Sequence, residues 1–196
     1  MSEIDLEFDD FTRRKEAVKQ LLQTIPNEDA NREGLLDTPK RVAKMYDEIF
    51  AGYLKKPEDI FKAVFKTDNE QMVIVKDIDY WSHCEHHMVP FFGRVHIGYL
   101  PNGSVLGLSK FARLVDLYAK RLQIQEQMTF QIADAIEKHL KPAGLAVVVT
   151  GTHLCMAMRG VKKPNSITIT NDIRGAFLTE VGVREEFLQS IHNTLQ

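Results

Sequence analysis

The sequence feature that most constrains the fold is a change of hydrophobic period near residue 70. Before this point, apolar residues recur every three or four positions, which is the period of an amphipathic helix. After it come two runs of strand-like composition, two helical patterns and two further strand-like runs. Paired strands separated by helices predict an α+β fold, in which an antiparallel sheet carries the helices on one face.

Local signals mark the ends of the predicted elements. Thr38 is a good cap for the second helix, and Pro39 suits its first turn. Ser109 is the corresponding cap of the third helix, and Pro142 forbids continuation of the fourth. The predicted helices occupy residues 7–25, 38–52, 109–120 and 125–139, and the predicted strands occupy residues 71–78, 93–100, 145–158 and 166–171.

The composition excludes several classes of protein. The chain has 196 residues, 44% hydrophobic and 27% charged, as in an ordinary globular domain and unlike a disordered chain. Its net charge of -2 argues against generic binding to nucleic acid, which requires a basic surface. No apolar run is long enough to span a bilayer, and the acidic N-terminus lacks the pattern of a signal peptide. We therefore expect a cytoplasmic protein with no nucleic-acid or membrane partner.

Two cysteines and their neighbouring histidines form a candidate metal site. Cys84 and His87 have the Cys-x-x-His spacing, which lets two ligands reach one ion from a single turn. Along the predicted strand 145–158, alternation places His153 and Cys155 on one face. Cys84, His87 and Cys155 would form a Cys2His set, which leaves the fourth position of a zinc ion open for water, as in catalytic sites.

Other interpretations of the same residues remain open. Cys155 lies in an apolar run, where free cysteine commonly belongs to the core. A structural zinc site would need a fourth ligand, which His83 or His86 could supply. A zinc deaminase is excluded, because the Pro-Cys-x-x-Cys half of its signature is absent.

Basic residues near two predicted helix starts indicate an anion site. Lys40 and Arg41 follow the second helix cap, and Lys110 and Arg113 follow the third. The helix dipole disfavours cations there, and a bound phosphate would remove this conflict. Arg159 continues the strand face of the metal cluster and adds a third basic segment. Solvated surface charges are the alternative interpretation of the lysines.

A carboxylate beside amides lies at the start of the fourth helix. Glu126, next to Gln125, could accept hydrogen bonds from the N–H groups of a purine edge. An exposed first turn, where glutamate is common, is the alternative.

Together these motifs resemble the GTP cyclohydrolase I family in order and approximate spacing, from about residue 10 to the C-terminus. The motifs that carry the resemblance are Thr38-Pro39-Lys40-Arg41-Val42-Ala43-Lys44-Met45, Cys84-Glu85-His86-His87, Gly107-Leu108-Ser109-Lys110, Gln123-Ile124-Gln125-Glu126 and His153-Leu154-Cys155-Met156-Ala157-Met158-Arg159-Gly160.

The resemblance implies a fold, an assembly and a reaction. The fold would be the tunnelling fold, a four-stranded antiparallel sheet with two helices on one face, at residues 61–196, after an N-terminal helical segment at residues 1–60. Subunits would join their sheets into pentameric rings that stack as a homodecamer, with active sites at subunit interfaces. The reaction would convert GTP and water to 7,8-dihydroneopterin triphosphate and formate, the first step toward tetrahydrofolate or tetrahydrobiopterin.

The resemblance also implies roles for individual residues. The zinc ligands would be Cys84, His87 and Cys155. The catalytic residues would be His153, which protonates the guanine N7, His86, which serves later proton transfers, and Ser109, near the ribose. The substrate-binding residues would be Glu126 and Gln125 at the guanine, and Arg41, Lys110, Arg113 and Arg159 at the triphosphate.

Two other functions stay open from the sequence. One is a non-catalytic, zinc-stabilised oligomeric module. The other is a different tunnelling-fold enzyme, such as a pterin synthase or a nitrile reductase of the queuosine pathway.

Overall fold

The computed structural model describes the backbone of residues 3–192 and the side chains of residues 10–192. The chain divides into two compact units, residues 1–51 and residues 52–196. Among the helices of the described part, none combines the length and the apolar character that crossing a membrane requires.

The first unit is helical, as its period predicted. It contains α1 (Glu3–Gln23), α2 (Glu33–Leu36) and α3 (Thr38–Ile49), and α1 packs along α3. An ion pair between Arg14 and Asp47, 2.7 Å apart, joins these two helices. The predicted cap is wrong by one residue: Asp37 is the N-cap residue of α3, and Thr38 is its first helical residue.

The second unit contains the sheet and the remaining helices. After a 3-10 helix (Ala51–Leu54) that begins at the last residue of the first unit, its elements in chain order are α4 (Pro57–Ile60), β1 (Val64–Lys66), β2 (Val73–Cys84), β3 (Pro90–Leu100), β4 (Ser104–Leu106), α5 (Leu108–Ala119), β5 (Leu122–Gln123), α6 (Gln125–Leu140), β6 (Gly144–His153), α7 (Leu154–Ala157), β7 (Thr168–Gly175), α8 (Ala176–Thr179) and α9 (Val181–Ile191).

The main sheet has five strands in the order β5-β2-β3-β6-β7. The four longer strands are antiparallel, whereas the two-residue β5 runs parallel to the end of β2. Strands β1 and β4 form a separate antiparallel pair. The predicted α+β class with an antiparallel sheet is therefore confirmed, and the short strands β1, β4 and β5 are additions that the hydrophobic pattern did not show.

One face of the sheet is covered by α5 and α6, which bury their apolar residues in a single core. The helical members of this core include Phe111, Leu114, Val115, Met128, Ile132 and Ile136, and the sheet members include Phe91, Val95, Ile97, Leu145, Val147 and Val149. Because the apolar residues recur at helical spacing on both helices, the sequence predicted these contacts well. The cap of α5 differs: Gly107 is its N-cap residue, and Ser109 is its second residue.

The opposite face is partly covered by the C-terminal helices, which no sequence pattern predicted. Phe177 of α8 and Phe187 of α9 are fully buried against it. Gly98 makes this packing possible, because a Cβ there would lie 2.6 Å from Cδ2 of Phe187. The uninterrupted apolar run of β6 was the available signal, since such a run is typical of a strand buried on both faces.

Shortening Phe187 tests this second core. Phe187→Ala should lower the free energy of unfolding by roughly 3–5 kcal/mol, because a fully buried aromatic side chain leaves a cavity. Leu188→Ala is the control on the same helix, since Leu188 is 39% exposed and should cost about 0.5 kcal/mol. Urea unfolding at one protein concentration measures both values, and equal losses would contradict this packing.

The structure corrects the predicted strand 145–158. Strand β6 ends at His153, where its pairing with β3 ends at Phe91, and its pairing with β7 has already ended at Gly151. Without ladder partners, the chain turns into the short helix α7, with a bond from Met158 N to Leu154 O. Cys155 and Arg159 therefore do not continue a strand face with His153.

Candidate metal centre and active site

Cys84 and His87 lie in the tight connection between β2 and β3. Cys84 is the last residue of β2, and its backbone N–H donates to the carbonyl of Val89. The N–H groups of His87 and Met88 both donate to the carbonyl of Cys84, which closes the turn. This turn brings Nδ1 of His87 to 3.8 Å from Sγ of Cys84. The short sequence spacing is thus enough to place these two side chains together.

Cys155 reaches the same place from a distant segment. The antiparallel pairing of β3 with β6 puts His153 opposite Phe91, beside the β2–β3 connection. The first turn of α7 then carries Cys155 to Cys84 and His87, and the ligand atoms of the three residues lie within 4.8 Å of one another. Two thiols and an imidazole at these separations could hold one metal ion.

Neither proposed fourth ligand belongs to this group. Among the described His, Cys, Asp and Glu side chains, the group that could hold a metal consists of Cys84, His87 and Cys155. His86 is exposed, with Nδ1 3.6 Å from Sγ of Cys84. His83 precedes Cys84 in β2, so alternation directs it to the other face of the sheet.

The thiol of Cys155 is hard to ionise in the absence of a metal. Burial raises its pKa, and the neighbouring Cys84 acts in the same direction. A cation bound between the two sulfurs would instead favour ionisation of the thiol, because metal coordination stabilises the thiolate.

His153 is held by two contacts at the end of β6. Its Nε2 lies 2.8 Å from Oε1 of Gln125, the first residue of α6. Its ring stacks on Phe91, with centroids 4.6 Å apart and planes 6° from parallel. Burial lowers the pKa of His153, and the nearby carboxylate of Glu126 opposes this shift.

Arg159 lies beside the metal cluster and is exposed. Its Nη1 is 3.2 Å from Nε2 of His87. Arg159 was correctly predicted to lie near the metal cluster, but the predicted strand face was wrong, because the helical turn of α7 brings Arg159 here.

The comparison with known proteins identifies the family. The family model described as GTP cyclohydrolase I matches residues 14–192. The chain belongs to the GTP cyclohydrolase I family. Its relatives include "GTP cyclohydrolase 1" of Streptococcus mutans serotype c, 52% identical over 185 residues that make up 94% of this chain and 96% of the relative. The protein of the same name from Thermobifida fusca is 50% identical over 184 residues, 93% of this chain and 88% of the relative.

A third relative and one solved structure complete the comparison. "GTP cyclohydrolase 1" of Geobacillus kaustophilus is 52% identical over 182 residues, 92% of this chain and 96% of the relative. The apo archaeosine synthase QueF-Like is 20% identical, with a TM-score of 0.43, over 53% of this chain and 93% of that one. A score this low supports no conclusion, so the enzyme assignment rests on the GTP cyclohydrolase I relatives.

The remaining GTP cyclohydrolase I residues predicted from the sequence lie elsewhere in the chain. Ser109, Lys110 and Arg113 are on α5, and Arg41 belongs to the first unit, where it pairs with Asp37 at 3.4 Å. Among the side chains of residues 52–192, no hydrogen bond or ion pair joins Ser109, Lys110 or Arg113 to Cys84, His87 or Cys155. Lys110 and Arg113 line a cavity of about 280 Å³, whose other walls include Lys55, Lys56, Asp59 and Asp116.

Two residues that support His153 were not predicted. Phe91 stacks on its ring, and Gly151 leaves room for the side chain of Gln125. A glycine inside an apolar strand was the available signal for Gly151, because it often marks a close approach. Phe91 carried no signal, since its contact depends on the register between β3 and β6.

Proposed function

We propose that this protein is a zinc-dependent enzyme that converts GTP and water to 7,8-dihydroneopterin triphosphate and formate. The observation that carries the proposal is the Cys84–His87–Cys155 group in a chain of the GTP cyclohydrolase I family. His153 is two residues from Cys155 and is fixed in place, which supports chemistry at this group rather than a purely structural metal.

The donor set supports zinc. In a tetrahedral zinc site, a sulfur and a nitrogen bound to one ion lie roughly 3.5 Å apart. The 3.8 Å between Sγ of Cys84 and Nδ1 of His87 agrees with this value, and Cys155 is within reach. When bound, zinc supplies the Lewis acidity that makes water nucleophilic at neutral pH. A reducing compartment such as the cytoplasm would keep both thiols available.

The positions of His153 and His86 support the proton-transfer roles that we propose for them. We assign to His153 the protonation of the guanine N7, which makes C8 a better electrophile, because histidine exchanges protons near neutral pH. His86 is exposed beside the cluster and suits later proton transfers, with Ser109 near the ribose. Glu126 is exposed next to His153 and can accept hydrogen bonds from the guanine N–H groups.

The triphosphate would be bound by basic side chains from several segments. Arg159 is exposed at the cluster, and Lys110 and Arg113 line a cavity on α5. With Arg41 from the first unit, these charges would complete a site at an interface between subunits.

An open edge of the sheet also supports an oligomer. Strand β7 ends the strand order, so one of its edges has no strand partner within the described residues. Open edges readily accept another strand. We therefore propose the tunnelling fold at residues 61–196, joined through its sheets into rings and assembled as a homodecamer.

A single experiment tests activity and assembly together. The zinc-loaded protein is separated by size, and each fraction is incubated with GTP, assayed for formate, oxidised and examined for pterin fluorescence. Fluorescence and an equal amount of formate should appear in the fraction with the mass of ten chains.

Two outcomes would overturn parts of this proposal. Zinc-loaded protein of any size that releases neither formate nor a pterin is the result expected of a non-catalytic zinc module. Full activity in a fraction with the mass of one chain would reject the interfacial active site but keep the reaction.

A further inference from the structure

The side chain of Gln125 is buried, and its orientation is determined by its neighbours. It is 1% exposed, and its Nε2 lies 3.1 Å from the carbonyl oxygen of Val149 and 3.2 Å from that of Thr168. Carbonyl oxygens only accept hydrogen bonds, so the amide nitrogen must face them. The amide oxygen of Gln125 therefore faces His153.

This orientation determines which nitrogen of His153 carries hydrogen. Oε1 of Gln125 is an acceptor only, so Nε2 of His153 must be the donor across their 2.8 Å contact. In the neutral ring, the other nitrogen, Nδ1, is then unprotonated. Among the described side chains Nδ1 has no hydrogen-bond partner, which leaves it free for a substrate.

The surrounding residues support this arrangement. A Cβ on Gly151 would collide with Oε1 of Gln125, so the glycine is what allows the amide to reach His153. Phe91 stacks on the ring and limits its tilt. Thr129, fully buried on α6, donates to the backbone carbonyl of Gln125 and fixes the start of the helix.

We propose that Gln125 is a positioning residue that holds His153 in the tautomer with hydrogen on Nε2, so that Nδ1 is the nitrogen that exchanges a proton with the substrate. This inference rests on the proposed function of His153 as an acid. It assigns Gln125 a role different from the substrate contact predicted from the sequence, because its amide is already engaged within the protein.

The transfer of a proton from His153 to the guanine conserves atoms and electrons. The Nδ1–H bond of the doubly protonated ring breaks, its electron pair stays on Nδ1, and the proton bonds to N7 of the guanine. The ring that remains is the Nε2–H tautomer, which Gln125 already binds. The hydrogen bond to Gln125 therefore persists through the transfer.

Nitrogen magnetic resonance tests the tautomer directly. Zinc-loaded protein with ¹⁵N-labelled histidine is measured at slightly alkaline pH, and the His153 signals are assigned from their loss in His153→Asn. The expected spectrum has a protonated Nε2 and an unprotonated Nδ1. A protonated Nδ1 in the neutral ring would overturn the proposal, and this result requires neither turnover nor a variant of Gln125.

Steady-state kinetics test the effect of the Gln125–His153 hydrogen bond on turnover. Gln125→Met keeps the length of the side chain but removes the acceptor, so we expect kcat to fall about tenfold to a hundredfold while KM for GTP changes little. Gln131→Met is the matched control on α6, since the side-chain oxygen of Gln131 accepts a hydrogen bond from Gln123 at 2.9 Å and not from His153. Zinc content should be unchanged in both variants.

The outcomes separate this inference from the proposed function. A raised KM with an unchanged kcat in Gln125→Met would indicate a substrate contact and overturn the positioning role. If the parent protein makes no pterin, the proposed function fails, whereas the magnetic resonance result still decides the tautomer.

Discussion

Replacing Cys155 by serine is expected to abolish metal binding and GTP turnover together. Serine has nearly the volume of cysteine, but a neutral hydroxyl is a poor substitute for a thiolate as a zinc ligand. The ion would then have two protein ligands left, Cys84 and His87, both from one short turn. We expect zinc affinity and turnover to fall at least about a hundredfold, since even the loss of a residue that only supports a ligand costs tenfold to a hundredfold.

Metal analysis and the pterin assay check this result. Met158→Ala is the control from the same segment, because Met158 is 65% exposed and is not one of the three grouped ligands. The control should keep one zinc ion per chain and the parent turnover. One zinc ion per chain and full activity in Cys155→Ser would show that the ligand assignment is wrong.

Replacing His153 by alanine is expected to separate metal binding from catalysis. The zinc content should stay at the parent level, because His153 lies outside the group of three ligand atoms. Turnover should fall about a hundredfold to ten-thousandfold, which is the usual contribution of a general acid. The stacking contact with Phe91 is also lost, so the unfolding midpoint should be recorded beside the activity.

A second stacked histidine provides a matched control. His139 stacks on Phe61 with centroids 4.7 Å apart, much as His153 stacks on Phe91, but it is not part of the metal group. His139→Ala should reproduce the loss of a stacking contact and keep the turnover. Equal losses of turnover in the two variants would mean that His153 acts through stability alone. In the His153→Ala background, Gln125→Met should cause no further loss, because the two residues act as one unit.

Much of the candidate site was predictable because its signals are local. Cys84 and His87 are three residues apart in one turn, so their spacing alone brings their side chains together. The helices α5 and α6 were predicted from their apolar faces, and α6 ends at Leu140, just before Pro142. Cys155 was predicted correctly as a neighbour of Cys84, although the strand geometry used to place it was wrong.

Other parts of the site had no local signal. The helix α7 forms because β6 loses both ladder partners by His153, and the extent of β3 and β7 cannot be read from residues 145–158. The contact between Gln125 and His153 joins side chains 28 positions apart. The C-terminal helix α9 is defined by its packing on Gly98, in a different part of the chain.

The sequence by itself determined the α+β class, the two helices that cover the sheet and the identity of the three residues, Cys84, His87 and Cys155, that could hold a metal ion. These properties depend on residue type and on spacings within a few positions, where backbone geometry leaves few alternatives. Only the tertiary structure decided that the sheet is buried on both faces near α9, and that Gln125 rather than solvent faces Nε2 of His153. Such contacts depend on strand register and on close packing between distant segments, which a local pattern does not encode.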